Sequence, residues 1–509
     1  MSIKILSSYL VGIEANNVEI EIACENLRSS SFNILGFPDH QIKQSKERIF
    51  KVLNGHYDNI KLFKWVINFY PPLQKLILNP YDVAIAVGML RTVGILKKSD
   101  TFFRETLFLG EFSLDGKIRP IRGLLSIAHE AKKNKIKRLI IPYSNINEAY
   151  YVKDIEFIGV TNFEELVKYL NNEIDINTIP KAPDIKTNNL DIDYQDIKGH
   201  DQAKRAMQIA AAGRHNILIM GSPGSGKTML AQRLPSIMPT MSVDEIISTS
   251  KIYSISHKSS GYQLIKERPF RDPHHTASTI GLIGGGTNSE PGEISLAHNG
   301  ILFMDEFTEF KKSVIESLRQ PLENQTITIS RAKLNITYPA SFILIAALNP
   351  CPCGYHGDNR NECKCSDLVV NNYLHKISGP MLDRIDLQII VNPVDINTIQ
   401  SSSKNLSSKV LKKQVEACVQ IQMARNGNKF NGLLSVKEID KYCVLSTDAQ
   451  DLLKIAFDKL KLSSRSYHKV VKISRTIADL EGSDIINKTH VKEALMYRTV
   501  DKLLKDNNV

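Results

Sequence analysis

Four groups of residues in this 509-residue chain have types and spacings that could do chemistry. The first is Gly221-Ser222-Pro223-Gly224-Ser225-Gly226-Lys227-Thr228-Met229. Glycines so spaced let consecutive backbone N–H groups curl around phosphate oxygens. Lys227 can then reach the β- and γ-phosphates, and the Thr228 hydroxyl can ligate Mg²⁺. The expected cofactors are ATP and Mg²⁺. The second group is Asp305-Glu306, which follows the apolar run Ile301 to Met304. Asp305 would hold Mg²⁺, and Glu306 would polarise the water that attacks the γ-phosphate. The third is Asn349, at the end of the apolar run Phe342 to Leu348, whose amide can donate and accept at once. The fourth is Cys351-Pro352-Cys353, nine residues, then Cys363-Lys364-Cys365. Four thiolates brought together fit tetrahedral, structural Zn²⁺, with His356 as a substitute ligand. His274-His275 has no third ligand at a diagnostic spacing and reads as a structural or substrate-facing pair.

These residues need rigid elements to position them. Ile217 to Met220 reads as a buried strand feeding the glycine loop, and a helix from Thr228 must end or kink near Pro235. Ser242 and Glu245 form a capping box that opens the next helix. The runs before Asp305 and Asn349 read as strands, so both residues emerge at strand C-terminal ends, where open α/β sheets hold ligands. Ala203, Ala206, Met207, Ala210 and Ala211 share one face of a helix stopped by Gly213.

Residues 1–175 read as a separate α/β domain. Val18 to Ile22 alternates with period two, Trp65 to Phe69 is a strand stopped by Pro71-Pro72, and Leu107 to Phe112 leads to a turn at Asp115-Gly116. Gly123 to Lys133 is helical in pattern, and Arg138 to Ile141 is a strand. Residues 176–192 are polar and contain Pro180 and Pro183, as a linker would. An ATPase core is expected over 193–395 and a helical lid over 396–509. In the lid, Tyr467, Val470, Val471, Ile477 and Ala478 share one helical face, while Arg465, Lys469, Lys472 and Arg475 gather on another.

The balance of 65 basic against 54 acidic residues gives +11. Beyond residue 400 there are 20 basic and 12 acidic residues, so most of the excess lies there. This leans toward polyanions such as nucleic acid, and equally toward a lysine-rich solvated surface. Met1 to Ile13 does not read as a signal peptide, and no run of 18 apolar residues occurs. A cytoplasmic protein without a membrane partner is expected. Seven cysteines, four of them within 351–365, do not form a disulfide framework in that compartment.

Resemblances extend this reading. Leu109 to Leu124 resembles the segment of Lon-type protease domains that leads into their catalytic lysine. Leu125 stands where the lysine would fall, and Asn79-Pro80-Tyr81-Asp82, at the serine's place, has no serine. The resemblance implies a Lon-like fold without peptidase chemistry. Ser378 to Leu387 resembles the arginine-finger segment of magnesium-chelatase and MCM-like AAA+ proteins. Arg268 to Thr276, Gly284-Gly285-Gly286, Pro291 to Gly300, Ser330-Arg331, Tyr338-Pro339-Ala340 and Asn349 to Gly354 look like the YifB/ComM family, over nearly the full chain.

The family implies a fold of class α/β: a Lon-like domain, an AAA+ core with a parallel sheet, and a helical lid. It implies a ring, most simply a hexamer. Asn349 would be the sensor that positions the attacking water, Arg384 the finger reaching a neighbouring subunit, and Arg475 (or Arg465) the sensor arginine of the lid. Two β-hairpin insertions are implied, within 276–296 and at Thr326 to Thr337. In hexameric relatives such hairpins grip DNA in the pore, which would put Arg331 and Lys333 near phosphates. The implied activity is ATP-driven branch migration of recombination intermediates in natural transformation. Alternatives are a chelatase motor inserting Mg²⁺ into a porphyrin, and an ATP-dependent protease regulator.

Overall fold

The computed structural model describes residues 2–26, 31–36, 39–57, 60, 62–72, 81–177, 180, 192–256, 264–286, 289–331, 334–395, 397–398 and 406–498. The N-terminal part is built on a seven-stranded sheet. Its strands are β1 (Ile3–Val11), β2 (Glu14–Asn26), β3 (Ser31–Leu35), β4 (Phe63–Tyr70) and β5 (Thr106–Phe108), then β8 (Arg138–Pro142) and β9 (Glu156–Val160). A small hairpin, β6 (Glu111–Phe112) with β7 (Ile118–Arg119), turns at the expected Asp115-Gly116. The sheet order is β3-β4-β2-β1-β5-β8-β9, antiparallel where β2 pairs with β1 and β4 and parallel elsewhere.

The period-two pattern of Val18, Ile20 and Ile22 lays those three side chains, all buried, against the helix Asp82–Thr92. Leu125 is buried on the helix Leu124–Lys133. Asp82 is also buried, and it accepts from Arg48 Nε at 2.7 Å and from the Phe112 amide at 3.2 Å. A buried ion pair therefore stands where the sequence pattern puts the serine of Lon-type relatives; Asn79 and Pro80 lie outside the described residues.

The second sheet has five strands, all parallel, in the order β11-β14-β17-β10-β18. They are β10 (Ile217–Met220), β11 (Phe270–Arg271), β14 (Ile301–Met304), β17 (Ile343–Leu348) and β18 (Leu387–Ile390). Every residue of β10, β14 and β17 is buried, as expected of uninterrupted apolar runs covered on both faces. The phosphate-loop helix runs Lys227–Ile237, ending two residues past Pro235. The capping box of Ser242 and Glu245 opens the helix Val243–Ile255.

Both hairpin insertions are present. The first pairs β12 (Gly284–Gly285) with β13 (Glu290–Pro291), and the second pairs β15 (Thr326–Arg331) with β16 (Leu334–Pro339). The two meet where Tyr338 Oη donates to the Ser289 carbonyl at 2.7 Å. Between Ser408 and Met496 the structure is mainly helical, and Ser464–Leu480 packs into the core shared with the five-stranded sheet. A second apolar cluster runs unbroken from the N-terminal sheet, at Leu10, Leu124 and Ile127, into Ile255, Leu282 and Ile336. No helix among the described residues is long and apolar enough to cross a membrane.

Candidate nucleotide-hydrolysis site and its cysteine neighbour

Because β10, β14 and β17 are parallel neighbours, their C-terminal ends deliver three loops to one place. Gly226 caps the following helix at φ +87, a left-handed conformation that a Cβ would disfavour. Lys227 Nζ donates to the carbonyls of Gly221 at 2.7 Å and Ser222 at 3.0 Å, and to Asn349 Oδ1 at 3.1 Å. Its ammonium is thus folded back into the loop. Burial lowers its pKa, with Asp305 and Glu306 pulling the other way. Thr228 Oγ1 donates to Asp305 Oδ2 at 3.0 Å. Adjacent ligands of an octahedral Mg²⁺ at about 2.1 Å stand about 3.0 Å apart, so this pair of oxygens fits the ion.

Glu306 adopts φ +50, uncommon for a residue with a Cβ. Its amide donates to Asp305 Oδ1 at 2.9 Å, and its own carboxylate is left half-exposed, as a group meeting water must be. His275 Nδ1 lies 3.0 Å from Glu306 Oε2. Asp272 faces the same cluster; burial, then the charge of Asp305, raises its carboxyl. The motif reading missed both roles. Asp272 to His275 directly follow the two-residue strand β11, whose parallel pairing with β14 brings them there and is not displayed by the sequence. His274, stacked on His275 at 4.2 Å, bonds Thr276 instead.

The cysteine cluster adjoins this centre. Cys351, Cys353, Cys363 and Cys365 hold their sulfurs within 4.8 Å of one another, with separations of 3.3, 3.6 and 3.7 Å among the first three. Zn–S bonds of about 2.3 Å put tetrahedral sulfurs about 3.8 Å apart, so the set fits zinc. Backbone amides of Tyr355 and Lys364 lower the Cys353 thiol, while its crowded neighbours Cys363 and Cys365 are raised. His356 is exposed and outside the group.

Comparison with known proteins matches nearly the whole chain. Residues 193–399 match the family described as magnesium chelatase, subunit ChlI, residues 405–498 its C-terminal family, and residues 18–145 the family described as subunit ChlI of Mg-chelatase. The chain is 37% identical to competence protein ComM of Haemophilus influenzae, over 99% of each chain. It is 34% identical to YifB of Escherichia coli, over 97% of this chain and 96% of the relative. An MCM-type protein of Methanocaldococcus jannaschii is 24% identical over 63% of this chain and 40% of its own length.

The chain belongs to the YifB/ComM family.

It is therefore a magnesium-chelatase-like AAA+ ATPase, a class that uses ATP and Mg²⁺. In this YifB/ComM chain, Arg384 precedes β18, whereas the phosphate loop follows β10. Those neighbouring strands pair in parallel from Ile217↔Leu387, so the two groups lie at opposite ends of the strands. Arg384 donates to Glu323 Oε1 at 2.6 Å, and Arg465 reaches the same oxygen at 2.7 Å. Asp383, sequence neighbour of Arg384, accepts from Ser466. Both arginines line a cavity of about 770 Å³, together with Lys429, Lys469 and Lys472.

Arg475 does not fit the sensor role expected of it. Its side chain is wholly buried, donating to Asp479 at 3.1 Å, to the Asp484 carbonyl at 2.6 Å and to the Ser483 carbonyl. Its donors are spent on fastening the end of its own helix. Arg465, half-exposed at the start of that helix, is the better-placed alternative. Lys469 is likewise no solvated surface group, being buried against Asp386 at 2.8 Å. Of the expected hairpin contacts, Lys333 lies outside the described residues, and Arg331 is defined as the last residue of β15.

Proposed function

We propose that this ATPase is a ring motor that drives branch migration on DNA junctions, the activity that the family resemblance implies; one relative carries the name competence protein. The observation that carries the reading is the chain order of the site: the hairpin β15–β16 is inserted between β14, which bears Asp305 and Glu306, and β17, which bears Asn349. Any shift of β17 between nucleotide states is passed to the hairpin through the short backbone link between Pro339 and Ile343. The separation of Arg384 from its own phosphate loop, at opposite ends of neighbouring strands, supports action on a neighbouring subunit's nucleotide, with Arg465 beside it. A planar guanidinium arriving from next door would stabilise charge on the transferring phosphoryl group.

In this mechanism Glu306, held by His275, polarises the attacking water, Asn349 helps position that water, and Lys227 reaches the γ-phosphate. The four cysteines hold structural zinc, which supplies a cross-link and no open coordination position. The decisive experiment incubates a synthetic four-way junction with ATP and either the wild type or Glu306→Gln. Wild type converts the junction, with DNA stimulating hydrolysis, while Glu306→Gln binds ATP and DNA but leaves the junction intact. Wild-type hydrolysis indifferent to DNA overturns the reading. The chelatase alternative shares the hydrolytic centre and predicts that indifference.

A further inference from the structure

The cysteine loop and the phosphate loop are in contact. Gly354, next after the first cysteine pair, packs on Pro223: a Cβ there would stand 2.7 Å from both Pro223 Cγ and Cδ. Gly354 also holds φ +87, so a larger residue is disfavoured by backbone as well as by space. Further along, Asp358 stands beside Ser222 of the phosphate loop and accepts from the amides of Arg360 at 2.7 Å and Asn361 at 3.0 Å. Arg360 donates to the Val394 carbonyl at 2.8 Å and to Asp395 at 3.1 Å. That segment follows β18, where the Val391 carbonyl closes on Gly221 so tightly that a Cβ would come within 2.3 Å. At its start the same loop supplies Asn349 to Lys227.

Residues 349–358 therefore follow the phosphate loop from Lys227, past Pro223, to Ser222. Yet residues 351–366 contain no helix or strand, so no ladder of backbone hydrogen bonds fixes their shape. What draws them together is the convergence of four thiols within 4.8 Å. Thiols that share no ion gain nothing from such closeness, and as thiolates they repel. A metal converts the convergence into a cross-link, and the loop's contact surface for Pro223 and Ser222 becomes rigid.

We propose that metal bound by Cys351, Cys353, Cys363 and Cys365 clamps the phosphate loop, so that nucleotide affinity depends on the metal although no cysteine touches nucleotide. The proposal rests on the zinc reading above. Supporting groups around a binding site commonly change affinity by about 10–100-fold when lost.

The test uses the full chain and reads zinc by elemental analysis and nucleotide affinity by titration with a fluorescent, non-hydrolysable ATP analogue in excess Mg²⁺. Freshly purified protein is expected to hold stoichiometric zinc. Removing it with a zinc-selective chelator should weaken the analogue about tenfold, with recovery on adding Zn²⁺ and none on adding more Mg²⁺. Gly354→Ala, which retains all four cysteines, should keep its zinc and still lose affinity. Stoichiometric zinc whose removal leaves affinity unchanged overturns the clamp while the zinc reading stands. Protein that neither carries nor takes up zinc overturns both.

Discussion

Glu148 shows how strongly a single buried group can tie this molecule to pH. It is buried beneath the N-terminal sheet and accepts from Asn145 Nδ2 at 2.5 Å. Burial, opposed by that hydrogen bond, pushes its carboxyl up to about 7. A raised carboxyl means that the folded state holds a proton the unfolded chain has released. The stability this contributes is complete below the ordinary value of about 4.5 and is lost as pH rises to about 7. Glu148→Gln keeps an acceptor for Asn145 and cannot ionise. Urea unfolding should find it more stable than wild type at pH 8, by up to about 3 kcal/mol, and no more stable at pH 4. At this scale the sequence was most legible where chemistry forces a short, ordered window. Lys227, Thr228, Asp305, Glu306 and Asn349 meet as expected, because phosphate and Mg²⁺ demand those groups directly after buried strands. Arg475 misled because a sequence does not say which arginine of a helix its own Asp four residues on will claim. Asp272 and His275 join the centre through strand neighbours, and no spacing along the chain displays that.

The helix Val243–Ile255 illustrates the same division among elements. Its start was legible as a capping box, since Ser242 and Glu245 exchange bonds within one turn. Its anchoring was not. Glu245 also takes Arg268 Nη2 at 2.9 Å and pairs with Arg214, both of them buried arginines from distant parts of the chain. Burial brings Arg214 down to about 10. Glu245→Ala would leave two guanidinium groups without their shared carboxylate. It should destabilise the protein by about 3–5 kcal/mol in thermal or denaturant unfolding. The family motif around Arg268 thus reports a packing requirement beside the catalytic one. The first insertion hairpin came from the family resemblance alone, whereas the second was legible as paired strands, since alternating Thr and Ile flank a turn. Their mutual contact through Tyr338 was not, because it joins segments about fifty residues apart.

For the whole molecule, the separation of Arg384 from its own phosphate loop makes a prediction about mixtures. Arg384→Ala and Glu306→Gln should each abolish hydrolysis alone. Mixed and allowed to exchange subunits, they should recover roughly a quarter of wild-type ATPase, from interfaces that pair an intact Glu306 with an intact Arg384. No recovery would mean that Arg384 serves its own chain. The turn between β1 and β2 carries a different lesson. A Cβ at Gly12 would stand 2.4 Å from Ile336 of the second hairpin, and the apolar cluster beneath it is continuous between the two sheets. The polar, proline-bearing stretch 176–192 invites a cut there to isolate the motor. Such a fragment would begin life with Leu282, Ile336 and Tyr338 stripped of their cover. Poor yield or precipitation of a truncated motor would then report an exposed seam, and say nothing about whether the N-terminal part takes part in catalysis.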